Sequence, residues 1–112
     1  MPVLHIHTNI TIEHKDEFLN QTSNFIAQAL GKPESYVMIL LSDDKPMSFA
    51  GEQEPTAFLE LKSLGLDSSQ THDLSNTLCS YLEDKLHIPS HRIYIEFASP
   101  ERAMFGWDKR TF

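Results

Sequence analysis

The chain has 112 residues, with 9 basic and 16 acidic side chains, a formal net charge of −7 and 40% hydrophobic residues. That length suits one domain, residues 1–112, built around one core, and the charge argues against nucleic acid or anionic membrane as the main partner while leaving room for a local basic site that holds a small anion. No apolar run approaches the ~20 residues of a membrane helix and no basic leader precedes the early apolar stretch, so the expected location is cytoplasmic, with leaderless secretion the alternative.

Val3, Leu4, Ile6 and Thr8 make the first stretch a strand beginning at Pro2, where proline is acceptable because no ladder donor is needed. If Met1 is removed, Pro2 carries a secondary amine on a rigid element. An α-amino group titrates near pH ~7.7 to 8.0, and apolar surroundings or a nearby cation lower it toward the range of a general base. The plainer reading is that Pro2 is one of many small residues that follow an initiator methionine.

Asn9 to Ile12 reads as a connection and Glu13 to Leu30 as a helix, with an apolar stripe of Phe18, Thr22, Phe25, Ile26, Ala29 and Leu30. Gly31 and Pro33 end it. Tyr36 to Leu41 is a continuous apolar run, the pattern of a strand buried on both faces. Ser42 to Pro55 is a polar loop with at most a short strand around Met47-Ser48-Phe49-Ala50. Thr56 to Leu64 alternates as a third strand and ends at Gly65. Asp67, Ser68 and Ser69 offer N-caps for a helix reaching about Leu86, with Leu74, Leu78, Tyr81, Leu82 and Leu86 on its stripe. His87-Ile88-Pro89-Ser90 stops it, and Arg92 to Ala98 is the fourth strand. Ser99 to Phe112 carries an aromatic density that must pack on something.

Each half is thus a βαβ unit with parallel strands and a right-handed crossover. Lys32-Pro33-Glu34-Ser35-Tyr36 aligns with Ile88-Pro89-Ser90-His91-Arg92 at a fixed offset, so the unit occurs twice. The expected class is α+β: two βαβ repeats forming a four-stranded mixed sheet with both helices on one face. The bare face then requires burial by another subunit.

The single Cys79 excludes an internal disulfide and falls in the second helical pattern as a packed thiol. His5 and His7 share one face of the first strand and could chelate. No HExxH or Cys/His pair supports them, so no metal site is assigned, and the histidines read as surface or partly packed groups.

The order Pro2, Thr8-Asn9, Gly31-Lys32-Pro33, Tyr36, Phe49-Ala50-Gly51 with Glu54-Pro55, Ser63-Leu64-Gly65, Arg92-Ile93-Tyr94-Ile95, Gly106-Trp107 and Thr111-Phe112 resembles the macrophage migration inhibitory factor family of the tautomerase superfamily. The resemblance spans essentially the whole chain. It implies a homotrimer with active sites at the subunit interfaces and keto–enol tautomerase activity on phenylpyruvate-like and dopachrome-like substrates, without a cofactor. Pro2 would be the catalytic base. Lys32 would hold the carboxylate of a small aromatic 2-oxo acid, with Tyr36 and the Leu64 backbone lining the site. Tyr94 of an adjacent subunit would contribute a hydroxyl, and Phe105, Trp107 and Phe112 would build an apolar wall. The alternative it implies is a cytokine-like protein that binds a protein receptor and retains only weak or vestigial tautomerase activity.

The chain also departs from its vertebrate relatives. Thr56-Ala57-Phe58-Leu59 replaces a CxxC pair, which removes the basis for thiol redox chemistry, and Lys62 replaces a histidine. Glu96 stands where they carry asparagine. A carboxylate there disfavours an anionic substrate and raises the pKa of a nearby amine.

Overall fold

Alternation along the first strand decides the architecture. In β1 (Val3–Thr8), Leu4, Ile6 and Thr8 are buried while Val3, His5 and His7 are half-buried, so one face looks into a core and the other outward. The computed structural model describes residues 1–112 and continues with α1 (Lys15–Leu30), β2 (Met38–Ser42), β3 (Ala57–Lys62), α2 (Ser68–Leu86), β4 (Ile93–Ala98) and a short pair, β5 (Gly106–Trp107) and β6 (Arg110–Thr111). The sheet order is β2-β1-β3-β4, with β1 parallel to β2, β3 parallel to β4, and the two halves joined antiparallel between β1 and β3. This is the expected mixed sheet of two βαβ units.

Leu74, Leu78 and Leu82 of α2 and Phe18 and Ile26 of α1 pack with Leu4, Ile6, Leu59 and Leu61 in one cluster beneath the sheet. Between the helices, the rings of Phe25 and Tyr81 stack at 3.9 Å, and the Tyr81 hydroxyl lies 3.0 Å from Thr22 Oγ1. Burial raises the Tyr81 pKa, with Thr22 opposing it. Cys79 is half-buried against the same core, and desolvation raises its pKa, as a packed thiol requires.

The two halves repeat at their helix ends. Gly31 (φ 63°) and His87 (φ 57°) are both left-handed caps, and each is followed by a proline at φ −61° that starts a single 3-10 turn before the strand. At the first cap, the Gly31 and Lys32 N–H groups donate to the Gln28 and Ala27 carbonyls at 3.3 and 2.9 Å, a Schellman closure. Glycine meets the left-handed requirement without cost in the first repeat.

Three expectations need correction. β2 is an edge strand, with Met38 57% and Leu40 40% exposed, and is not buried on both faces. Only Ile39 and Leu41 pack toward the core, because the helices cover one face of the sheet and Met38 and Leu40 project from the other beside Val3 and His5. Tyr36 belongs to the 3-10 turn Glu34–Tyr36 and lies outside the strand. The first helix begins at Lys15, two residues later than Glu13, since Asp43 accepts the Ile12 N–H at 2.9 Å and fixes the preceding connection as a loop. The third strand stops at Lys62; Ser63 to Leu66 is a turn closed by Leu66 N–H to the Ser63 carbonyl at 3.2 Å.

The long loop before β3 is organised from below by a buried cation. Arg92, 7% exposed, donates from Nε to the Pro55 carbonyl at 2.9 Å, from Nη1 to Phe49 at 3.2 Å, and from Nη2 to Glu52 and Glu54 at 3.2 and 3.1 Å. Its guanidinium also lies 5.2 Å from the Phe49 ring centroid. The carbonyls converge because Ala50 and Gly51 both take positive φ, turning the chain so that Phe49 and Glu52 pair as an isolated bridge. Asn9 completes the anchor: its Nδ2 donates to the Gln53 and Glu54 carbonyls, and its Oδ1 accepts the Thr56 N–H.

Replacing Arg92 leaves several carbonyls short of donors, each at a cost of about 1 to 3 kcal/mol where water cannot reach. Arg92→Ala is expected to lower the unfolding free energy by about 3 kcal/mol or more in urea titration. Arg92→Lys should recover less than half of that loss, because one ammonium cannot reproduce the planar fork.

Candidate active site

Pro2 stands just before β1, its carbonyl accepting the Met38 N–H at 3.0 Å, and its side chain is fully buried. The terminal residue ahead of it opens into a cleft of about 570 Å³ lined by Met1, Lys32, Pro33, Tyr36, Leu64, Gly65, Arg102 and Phe112. Each wall has a local cause. The Schellman closure delivers Lys32 and Pro33, the 3-10 turn presents Tyr36, and the turn after β3, with Gly65 at φ 77°, brings the Leu64 backbone to the rim.

The C-terminal tail supplies the remaining wall. Arg102 lies in the 3-10 turn Arg102–Met104 and donates from Nε to the main-chain oxygen of Phe112 at 3.0 Å, while the Phe112 N–H donates to the Phe105 carbonyl at 3.1 Å. These two bonds fold the tail back on itself. Trp107 stacks on Phe112 at 5.8 Å, meets Tyr36 edge-on at 5.8 Å and carries the Arg110 guanidinium over its ring at 5.3 Å. Phe105 packs against Phe112 at 5.9 Å. The aromatic tail of the protomer therefore closes over its own Tyr36.

The electrostatics of the cleft run against the net charge of the chain. The terminal ammonium has its pKa lowered, first by desolvation and then by Lys32 and Arg102. Two cations and an apolar lining thus act on an amine at the mouth of the cleft. Arg102 was not singled out from the sequence. Its signal would have been a basic residue between Pro100 and the aromatic cluster of an acidic chain.

Of the residues expected at the site, Lys32, Tyr36, Leu64 and Phe112 line this cleft, and Trp107 and Phe105 support it through Phe112. Tyr94 and Glu96 do not line it. Both lie on the open face of β4, in register with Phe58 and Glu60 of β3, and Tyr94, 66% exposed, meets Phe49 edge-on at 4.9 Å.

A twofold βαβ protein with a cationic, aromatic-walled cleft at the start of its first strand is the class these features define. The family model described as Macrophage migration inhibitory factor (MIF) matches residues 1–112, and the chain belongs to that family. It is 35% identical over 114 residues to macrophage migration inhibitory factor of Rattus norvegicus and 39% identical over 114 residues to the homolog of Brugia malayi, covering 100% of this chain and 99% of each relative. Among solved structures, the homologue from Prochlorococcus marinus superposes with a TM-score of 0.91 at 38% identity, covering 98% of both chains. The protein from Trichinella spiralis gives 0.89 at 36% identity, covering 98% of this chain and 99% of that one.

Because Lys32 and Arg102 both lower the amine pKa, Lys32→Gln and Arg102→Gln should each raise it, and the double variant should raise it further. The reactive form is the neutral amine. The pH at which the terminus begins to react with an acylating reagent should therefore move upward in the variants, as read by peptide mapping across a pH series.

Proposed function

We propose that the protein is a cofactor-free keto–enol tautomerase of phenylpyruvate-like acids, with Pro2 as the general base once Met1 is removed. The observation that carries this reading is the gathering of Lys32, Arg102 and the N-terminus at one apolar cleft, where desolvation first and then the two cations lower the pKa of the Met1 amine that precedes Pro2. A neutral Pro2 nitrogen takes a proton from the carbon between the ring and the keto group. Water gives a proton to the keto oxygen to form the enol, and the protonated Pro2 returns its proton to the hydroxide left behind. Lys32 and Arg102 hold the substrate carboxylate, while Tyr36 and Phe112 flank its ring. Holding the acid in place and tuning the base suffice for a proton shift of this kind.

The active unit in this reading is a homotrimer. The open face exposes Met38, Leu40 and Tyr94 beside the half-buried Val3 and Phe58, an apolar group that a neighbouring subunit would cover. In the trimer, Tyr94 and Glu96 of one subunit approach the cleft of the next.

Phenylpyruvate tautomerisation should be measurable in protein whose intact mass lacks Met1, and Pro2→Gly should reduce it by roughly 100-fold or more. Sedimentation should give a trimer at micromolar concentration. An active monomer, or activity that survives Pro2→Gly, would overturn the assignment.

A carboxylate beside the cleft repels the substrate and favours protonated Pro2. At an effective dielectric of about 20, two unit charges ~6 Å apart interact by roughly 3 kcal/mol, and screening leaves about 1 kcal/mol. Glu96→Gln is accordingly expected to raise kcat/KM several-fold and to move the acidic limb of the pH profile lower. Steady-state kinetics across pH reads both, and no change in either would place Glu96 away from the substrate.

A further inference from the structure

On the open face of the sheet, well apart from the cleft in function, three side chains from two strands converge. His5 and His7 project from β1 on the same side, and Glu60 is the cross-strand partner of His5 on β3. His7 Nε2 lies 2.7 Å from Glu60 Oε2 and His5 Nδ1 lies 3.7 Å from the same oxygen, with ligand atoms of all three residues within 4.8 Å of one another. The two imidazole rings face each other at 3.9 Å and 31°. We propose that His5, His7 and Glu60 form a binding site for a divalent cation of the zinc class, with His5 Nδ1, His7 Nε2 and one Glu60 oxygen as ligands.

The donor set is the first argument. Two imidazoles and a carboxylate are borderline and hard donors that suit Zn²⁺, and three protein ligands leave a fourth position for water or another ligand. Donors around tetrahedral zinc at ordinary bond lengths stand about 3.3 Å apart. The observed 2.7 and 3.7 Å separations bracket that value, and the remaining pair of donors lies within 4.8 Å.

The surroundings are the second argument. His5 Nε2 lies 2.8 Å from Ser42 Oγ on β2, so the ring nitrogen away from the site already has a partner that can accept its proton and fix the ligating tautomer. Glu96 is in register with Glu60 on the next strand and shares its face, which adds a second negative charge beside the site.

One contact opposes the ion. Lys45 Nζ lies 3.2 Å from His7 Nδ1 and favours the tautomer whose Nε2 proton points at Glu60. Zinc at His7 Nε2 requires that proton at Nδ1, so the metal and Lys45 compete for His7. Lys45 is exposed and free to swing away. The cluster is thus poised between a hydrogen-bonded state held by Lys45 and a metal-bound state.

The test is calorimetric titration of untagged, chelator-treated protein with Zn²⁺ alone, together with Co²⁺ substitution read by visible absorption. The expected result is one ion per chain with micromolar affinity and a cobalt spectrum of four-coordinate intensity. His5→Ala, His7→Ala and Glu60→Gln should each weaken binding roughly tenfold or more, and Lys45→Ala should tighten it. Glu60→Gln keeps size and shape, so it reports on ligation even if a histidine variant misfolds. Absence of saturable binding, or binding that survives all three ligand substitutions because His14, His72, His87 or His91 supplies it, would overturn the proposal. The reading of the cleft does not enter, since Pro2→Gly should leave the zinc titration unchanged.

Discussion

The constraint on which the structure depends is the two-sidedness of β1. It joins the two repeats, pairing parallel to β2 of its own repeat and antiparallel to β3 of the other. A slip of one residue would exchange Leu4 and Ile6 for His5 and His7 beneath the helices and bury two polar rings in the core. Correct register therefore does three things together. It seats the core, leaves the histidines on the open face and carries Met1, ahead of the buried Pro2, to the cleft.

The cleft shows how a chain of net charge −7 can gather two cations in one place. Neither cation there is held by a side-chain carboxylate: Lys15 takes the ion pair with Asp43, and the histidine contacts with Glu60 lie on the open face. Lys32 follows from the cap that ends α1, and Arg102 from a tail that folds back through Phe112. Both positions are products of backbone closure, which is why they are fixed although the side chains are solvated.

Much of the fold was legible because alternation, helical stripes and the Pro33/Pro89 repeat are local signals. The both-face burial read into Tyr36 to Leu41 failed for a tertiary reason. An apolar run states that a strand resists water, and the layers decide which face is covered; here the helices cover only the face of Ile39 and Leu41 and leave Met38 and Leu40 on the open one. Arg102 was missed because its role depends on a tail that closes by two hydrogen bonds between residues 7 and 10 apart in sequence, with no periodicity to announce it. The chelating potential of His5 and His7 was visible as strand spacing, but the third donor was not. Glu60 becomes their neighbour only through the antiparallel register of β1 with β3.

Glu60 and Glu96 then connect the open face to the proposed chemistry. They stand side by side on β3 and β4, so the sheet carries two carboxylates in one row while the cleft carries two cations. Hydrogen bonding to His7 is the first cause that lowers the Glu60 pKa, with the charges of His7, His5 and Lys62 adding to it, which keeps Glu60 ionised well below neutrality. A carboxylate that stays ionised deepens the negative potential over that row. A cation bound at His5, His7 and Glu60 would offset this potential along the row.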